Sequence, residues 1–196
     1  MGACLAGEAL RRGHRVTVVS GPGVGPFPPP ARVVSVERAR EMEAALRREP
    51  RRADAVIMAA AVADFQPVAV RAAKVARRGR LTLALRATPD IIGRLPRRAS
   101  QVRVGFALET GRTVLARAAK KLRDKRLDVV LVQHASTQHP PFGHRPVRAW
   151  LLGRDGIVEP LGLASKPRVA RALLDKIERL WYRQPERNLP SHVAKT

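Results

Sequence analysis

Residues 53–67 read Ala53-Asp54-Ala55-Val56-Ile57-Met58-Ala59-Ala60-Ala61-Val62-Ala63-Asp64-Phe65-Gln66-Pro67. An acid, an apolar run at 56–58 and then a string of alanines predict a strand buried on both faces of a parallel sheet, placed in the middle of that sheet. The alanines add almost no side-chain bulk, so a flat ligand can lie against the backbone just past the strand's carboxyl end, where open α/β sheets bind ligands. Asp64 offers acceptor oxygens at the rim of that crevice. The same composition also serves tight packing of helix on sheet, and this stretch alone does not choose between the two.

Length and composition bound the rest. A chain of 196 residues with 45% hydrophobic content buries a real core, and one α/β domain is the default. Aromatic residues make up only 4%, so the core is aliphatic and alanine-rich. The single cysteine, Cys4, excludes an internal disulfide and fits a reducing cytoplasm; in an apolar helix it reads as packing rather than as a nucleophile. No apolar run approaches the roughly 20 residues that span a bilayer, and the N-terminus lacks a signal-peptide pattern, so a cytoplasmic protein without a membrane partner is expected. The net charge of +22 suggests a nucleic-acid binder. Its distribution argues otherwise, because arginines such as Arg11, Arg47, Arg77 and Arg97 are scattered over nearly every segment and few aromatics are available to stack on bases.

From the N-terminus, residues 2–12 predict a short helix with Leu5, Ala9 and Leu10 on one face, stopped by Gly13, and residues 14–20 a strand. A doubly wound domain ordinarily opens with a strand that feeds its first helix, so a preceding strand is expected. GPGVGPFPPP at 21–30 is an irregular loop whose glycines do not make a dinucleotide fingerprint. A strand at 33–36 and a helix at 39–48, with Met42, Ala45 and Leu46 inward, lead to the opening stretch. Beyond it, two alternating runs between Lys74 and Leu85 flank Gly79 and predict a hairpin projecting from the sheet, a shape suited to a flap or a dimer contact. Thr88 is the N-cap candidate of the next helix, with Pro89 at its first position and Ile91, Ile92 and Leu95 toward the core.

Residues 102–106 predict a further buried strand, with Gly105 allowing a close approach and Phe106 at its end. In the helix expected at 113–126, Lys121 and Lys125 stand one turn apart, where both ammonium groups can converge on a polyphosphate; a solvated basic edge is the plainer reading of the same pair. Residues 127–132 predict the last buried strand. His134, His139 and His144 come next, in a loop without metal-ligand spacing, so no metal site is expected there. A hairpin turning at Arg154-Asp155-Gly156 and an amphipathic helix at 166–182 close the domain, and residues 183–196 read as a polar, disordered tail.

Taken in order, ALRRGHRVTVVSGP, ADAVIMAAAVADFQP, the lysine of AAKVARR, TPDII, VGFALETG, KKLRDKRLDVV and the final LLGRDG turn with its SK-initiated helix resemble the phosphopantothenoylcysteine synthetase family. In bacteria that enzyme is often the C-terminal half of a bifunctional flavoprotein of coenzyme A synthesis. The resemblance covers residues 1 to about 181. It implies a Rossmann-like three-layer α/β sandwich with a mostly parallel sheet and a projecting hairpin, dimerising in part through that hairpin. Against the family, its first strand, its glycine-containing phosphate loop and an Ile-Ser-Asn-x-Ser-Ser-Gly-Lys segment are missing in front of Met1, so a truncated or degenerate member is expected.

The activity so implied is a ligation in which CTP and Mg²⁺ activate the carboxylate of 4′-phosphopantothenate as an acyl-cytidylate, releasing pyrophosphate; the amine of cysteine then attacks and CMP leaves. By matched positions, Met58, Ala59 and Ala60 and the segment Arg86, Ala87, Thr88 and Pro89 would frame the nucleotide. Asp64 would contact it, Phe106 would wall its pocket, Lys121 and Lys125 would meet the phosphates, and Lys74 would be the catalytic lysine closing over the nucleotide. Nothing in the pattern binds flavin. The sequence departs from the family where Val-Ala-Asn-Asp becomes Leu131-Val132-Gln133-His134, where the Asn before Pro-Asp-Ile is Thr88, and where the acid after Phe-Gly gives way to His144 and Arg145. Two other readings stand beside this one: a catalytically inactive nucleotide-binding remnant and a basic nucleic-acid-binding module.

Overall fold

A computed structural model describes residues 1–48, 53–69, 73–74, 79–111, 113–136, 143 and 145–183. Residues 75–78 of the expected hairpin, His139 and His144, and the tail from 184 onward lie outside the described residues.

The architecture is mixed α/β, with a mostly parallel sheet between two helical layers. Helix α1 (Gly2–Arg11) leads into strand β1 (Thr17–Ser20), which pairs in parallel with β2 (Arg32–Ser35). Helix α2 (Ala39–Arg48) is next, its N-terminus closed by the Glu41 carboxylate, which accepts the amides of Glu37 at 3.0 Å and Arg38 at 3.2 Å. Strand β3 (Ala55–Met58) then runs to the ribbon of β4 (Phe65–Pro67) and β5 (Leu85–Ala87). The order closes with α3 (Ile91–Arg94), β6 (Val102–Glu109), α4 (Val114–Asp124), β7 (Val129–His134), β8 (Val147–Gly153), β9 (Val158–Ala164) and α5 (Lys166–Tyr182).

The main sheet is five-stranded, in the order β3-β6-β7-β8-β9; β3, β6 and β7 are parallel, and β8 and β9 return antiparallel. Alternation along β6 and β7 divides the core in two. Val102, Val104, Val129 and Leu131 pack with Leu5 of α1 and with Val169, Leu173 and Ile177 of α5 on one face. Ala107, Val130 and Val132 pack with Ile92 of α3 and with Val114, Ala118 and Leu122 of α4 on the other. Gly105 is required here by space: a Cβ would stand 2.5 Å from Leu127 Cδ1, so the close approach the sequence implied is that of a core leucine.

Several sequence expectations are corrected. Strand β3 is not in the middle: among the described residues it is the edge of the five-stranded sheet, and only Val56 is fully buried. The strands buried on both faces are β6, β7 and β8, so the run at 127–132 is not the last of them, and His134 ends β7 instead of starting a loop. The projecting ribbon is laddered at Phe65–Pro67 and Leu85–Ala87, is closed at its base by Thr88 N–H donating to the Asp64 carbonyl at 2.8 Å, and continues outward through Val68 N–H donating to the Ala84 carbonyl at 3.0 Å, while residues 75–78 of the expected hairpin lie outside the described residues. The N-cap of α3 is Asp90, not Thr88, because the Asp90 carboxylate accepts from Gly93 N at 3.3 Å. Lys125 caps α4 from just beyond its last helical residue.

Candidate functional site

Parallel strands β3, β6 and β7 all end on one edge of the sheet, and the segment leaving each strand starts from that edge. Past β3, Ala60 and Ala61 are exposed and lead to Asp64, which the ribbon's base holds beside Thr88. Past β5, the segment from Thr88 to Asp90 turns into α3. Across from them stands α4. Its helical pitch carries Lys121 over the end of β6, where the half-buried ammonium donates to the Phe106 carbonyl at 2.6 Å. Lys125, one turn on, donates to Asp90 Oδ1 at 3.0 Å.

Electrostatics mark Lys121 as the centre of this group. Burial pushes its ammonium below the usual lysine range and the neighbouring charge of Lys125 adds to that, while Glu109, Asp64 and Asp90 pull the other way. Two cations and three carboxylates therefore act on one another at the carboxyl edge. Thr88 adds a second sign of an incomplete site, since its Oγ1 is buried without a hydrogen-bond partner. Such an arrangement can take an anion between the lysines while a neutral polar group of the same ligand meets Thr88.

The structure brings together Asp64, Thr88, Pro89, Phe106, Lys121 and Lys125 of the residues the sequence singles out. Ala59 and Phe106 are partly buried against the core on the α1–α5 side, and Met58 packs its side chain on the α3–α4 side, so at 58–60 it is the backbone that faces the edge. Arg86 and Ala87 lie exposed on the ribbon, with Arg86 opposite Gln66. Lys74 is exposed on the connection between the ribbon's strands, and among the described residues no contact joins it to the lysine pair. One residue escapes a reading of the sequence: Asp90 accepts from Lys125, and its place after Thr-Pro signals only a helix start.

A separate cleft of about 560 Å³ opens where β1 and β2 end, lined by the glycine–proline loop at 21–27 together with Ser20, Val33, Glu37 and Glu41. It offers carboxylates and no cation, so an anionic ligand belongs with the lysines. Among the described residues no three His, Cys, Asp or Glu side chains converge as a metal site, and no helix is long and apolar enough to cross a membrane.

The profile of the DNA/pantothenate metabolism flavoprotein C-terminal domain matches residues 1–180. The coenzyme A biosynthesis bifunctional protein CoaBC of Bacillus subtilis strain 168 is 34% identical over 190 residues, which are 96% of this chain and 47% of that protein. A cysteine/cysteine sulfinic acid decarboxylase of an unknown prokaryotic organism is 34% identical over 180 residues, 90% of this chain and 50% of that protein. The chain thus spans about half the length of these curated relatives. Among solved structures, the C-terminal domain of a coenzyme A biosynthesis bifunctional protein CoaBC superposes with a TM-score of 0.77 at 30% identity, covering 93% of this chain and 83% of that one.

Proposed function

Because this chain belongs to the family of the DNA/pantothenate metabolism flavoprotein C-terminal domain, whose relatives include coenzyme A biosynthesis proteins, we propose that it binds CTP at the carboxyl edge of its parallel strands and serves the ligation of 4′-phosphopantothenate to cysteine. The observation that carries the proposal is the half-buried Lys121 ammonium, held on the Phe106 carbonyl beside Lys125 and facing Asp64 and Asp90. A triphosphate displaces part of the lysines' pairing with carboxylates and replaces it with charge-assisted hydrogen bonds. The backbone at 58–60 and the segment 86–89 leave a ledge for the base and ribose, and the buried Thr88 hydroxyl meets a polar atom there.

The reaction asks mainly for positioning and charge neutralisation. The carboxylate of 4′-phosphopantothenate attacks the α-phosphorus of CTP and pyrophosphate departs; the amine of cysteine then attacks the acyl carbon and CMP departs. Lys121 and Lys125 hold the phosphates through the first step. Lys74, exposed on the ribbon's connection, is in this reading the lysine that meets the nucleotide. Mg²⁺ would enter with the phosphates of the nucleotide and would supply charge neutralisation there. A homodimer is part of the same reading, supported by the apolar ribbon, on which Phe65, Val68, Leu81, Leu83 and Leu85 are all exposed.

Calorimetric titration with CTP tests the site, and pyrophosphate release with 4′-phosphopantothenate, Mg²⁺ and cysteine tests the chemistry. Saturable CTP binding with pyrophosphate release is expected. Binding without release assigns the chain to the inactive nucleotide-binding reading. A folded protein that ignores CTP overturns the proposal, and affinity for DNA or RNA that falls steeply with salt would then replace it.

A further inference from the structure

At the amino end of the parallel strands the fold gathers arginines that the sequence scatters. Arg97 follows α3, Arg103 lies in β6, Arg126 follows α4 and Arg154 follows β8. Asp128 is their common centre. Its carboxylate accepts Arg97 at 2.9 Å and also pairs with Arg154, its carbonyl accepts Arg154 N at 2.9 Å, and its amide donates to the Arg103 carbonyl at 2.8 Å. Arg97 also donates to the Arg126 carbonyl. Two neighbouring carboxylates are engaged elsewhere, Asp124 with Lys120 at 2.5 Å and Asp155 with the amide of Ile157 at 3.1 Å.

Two members of the cluster stand there at a cost to the fold. Arg103 lies between Val102 and Val104 and is 2% exposed; its guanidinium donates to the carbonyls of Leu95, at 3.1 Å, and Pro96, while its Nε is buried with no hydrogen-bond partner. Arginine keeps its proton, so that charge stays beneath the surface. Arg126 follows the cap of α4 with a φ of 51°, the only positive φ of a non-glycine residue among those described, where glycine ends a helix without strain. Stability alone is served as well by an apolar side chain at 103 and better by glycine at 126. Arg126 is exposed and the Arg154 side chain is 56% exposed, so the cluster shows its charge to solvent. The carboxyl end of α4 offsets about half of one charge and leaves the balance positive.

Composition decides the partner. Residues 94–103, 123–128 and 153–156 contain no aromatic side chain to stack on unpaired bases. They expose no large apolar side chain either, and Ile157 and Val158, next in sequence, are too little to form the apolar centre of a protein interface. Guanidinium groups on a polar surface match phosphate oxygens, often in pairs. We propose that the amino end of the sheet binds the sugar–phosphate backbone of a nucleic-acid duplex without base specificity, Arg126 and Arg154 meeting phosphates and Arg97 and Arg103 adding charge behind them. This surface lies at the opposite end of the strands from Lys121 and Lys125, so it stands whether or not the carboxyl edge takes CTP.

Fluorescence anisotropy of a labelled, mixed-sequence DNA duplex of about 20 base pairs, titrated with the whole chain between about 50 and 200 mM salt, tests the surface. Saturable binding that weakens steeply with salt is expected. Arg126→Gly should weaken it about threefold and shallow the salt slope by about one while raising the melting temperature; Arg154→Gln should weaken binding alike. Arg171→Gln, which removes the same charge from the exposed side of α5, should leave binding as it is. Equal losses in all three variants would mean diffuse attraction to net charge and would overturn the proposal, as would full affinity in both Arg126→Gly and Arg154→Gln or a wild type that does not bind. Displacement of the duplex by CTP at constant ionic strength would put it on the lysines and is equally fatal. Polyglutamate competing as well as unlabelled duplex would make the partner an acidic protein, and tighter binding of single-stranded DNA would make it an unpaired strand; either replaces the duplex.

Discussion

Lys121 pays for its position in protonation: the fold places its ammonium where burial and the charge of Lys125 favour the neutral form. Between its lowered value and the ordinary 10.5, the unfolded chain binds the proton more firmly than the folded one, so this group's contribution to stability rises with pH through that window. A polyanion reverses the shift. CTP binding in the alkaline part of the window should therefore take up a proton, seen as a binding enthalpy that varies with the ionisation enthalpy of the buffer; no such variation would remove Lys121 from the phosphate site. Lys121→Met should weaken CTP at least about tenfold, the scale of one charge-assisted hydrogen bond, without lowering the melting temperature. At the opposite end of the sheet Asp128 accepts Arg103 N at 2.8 Å and Arg97 at 2.9 Å, and it also pairs with Arg154. Asp128→Ala should cost about 2 kcal/mol in chemical denaturation while leaving CTP affinity intact, since it unpairs a backbone amide and two guanidinium groups. Spacing makes the lysine pair legible in the sequence, because one helical turn is a fixed distance. Asp90 is not legible there, since what matters is Lys125, a partner contributed by another segment.

Helices and ribbons have the same mixture of readable and unreadable causes. Helix α5 is legible because Ser165, Pro167 and the series Val169, Leu173, Leu174 and Ile177 are local signals of cap, start and buried face. The base of the ribbon is not legible in the sequence, because its ladder at 65–67 and 85–87 is closed by Asp64 and Thr88, far apart in the chain, whereas local alternation around Gly79 marks only the outer hairpin. Its exposed apolar side chains support the dimer contact, with Leu83 at 63% exposure among the least covered. Leu83→Glu should leave folding untouched and shift sedimentation from dimer to monomer; a wild type that sediments as a monomer would refute the contact. Helix α1 is fastened to α5 by Arg12, which meets Glu8 at 2.8 Å, Asp175 at 2.7 Å and Glu178 at 2.8 Å. Hydrogen bonds from Arg11 and Arg12 hold the Glu8 carboxyl down at about 2, from an ordinary 4.5. Its contribution is whole above 4.5 and is lost as pH falls toward 2, so Arg12→Ala should lower the melting temperature at neutral pH by about 5 °C and by less in acid. An equal loss at both pH values would count against the clamp.

For the molecule as a whole, the decisive fact is that protection is uneven across the strands. The sequence marks residues 56–58 as central because an all-apolar run is what a doubly covered strand needs, but four residues of Ala-Val-Ile-Met satisfy an edge equally well when helices flank it. Strands β7 and β8 are paired on both sides and carry the least exposed side chains, Val129, Val130, Leu131 and Leu151 among them. Strand β3 is paired on one side, and β1 with β2 forms a sheet of its own in which Val33 is 45% exposed. Local opening tracks pairing and burial, so amide exchange should rank in that order: β6, β7 and β8 slowest, β3 faster, and β1 with β2 fastest and as a separate unit. Saturation with CTP adds a second expectation. Ligand seated on the carboxyl edge should slow exchange at 58–64 and 88–90 while leaving β1 and β2 unchanged, because its contacts stabilise only the conformations that hold Asp64, Thr88 and Lys121 together. Exchange slowed in β1 and β2 instead would move the nucleotide to the cleft beside Glu37 and Glu41, and equal rates in β1 and β7 would mean that the two sheets open as one.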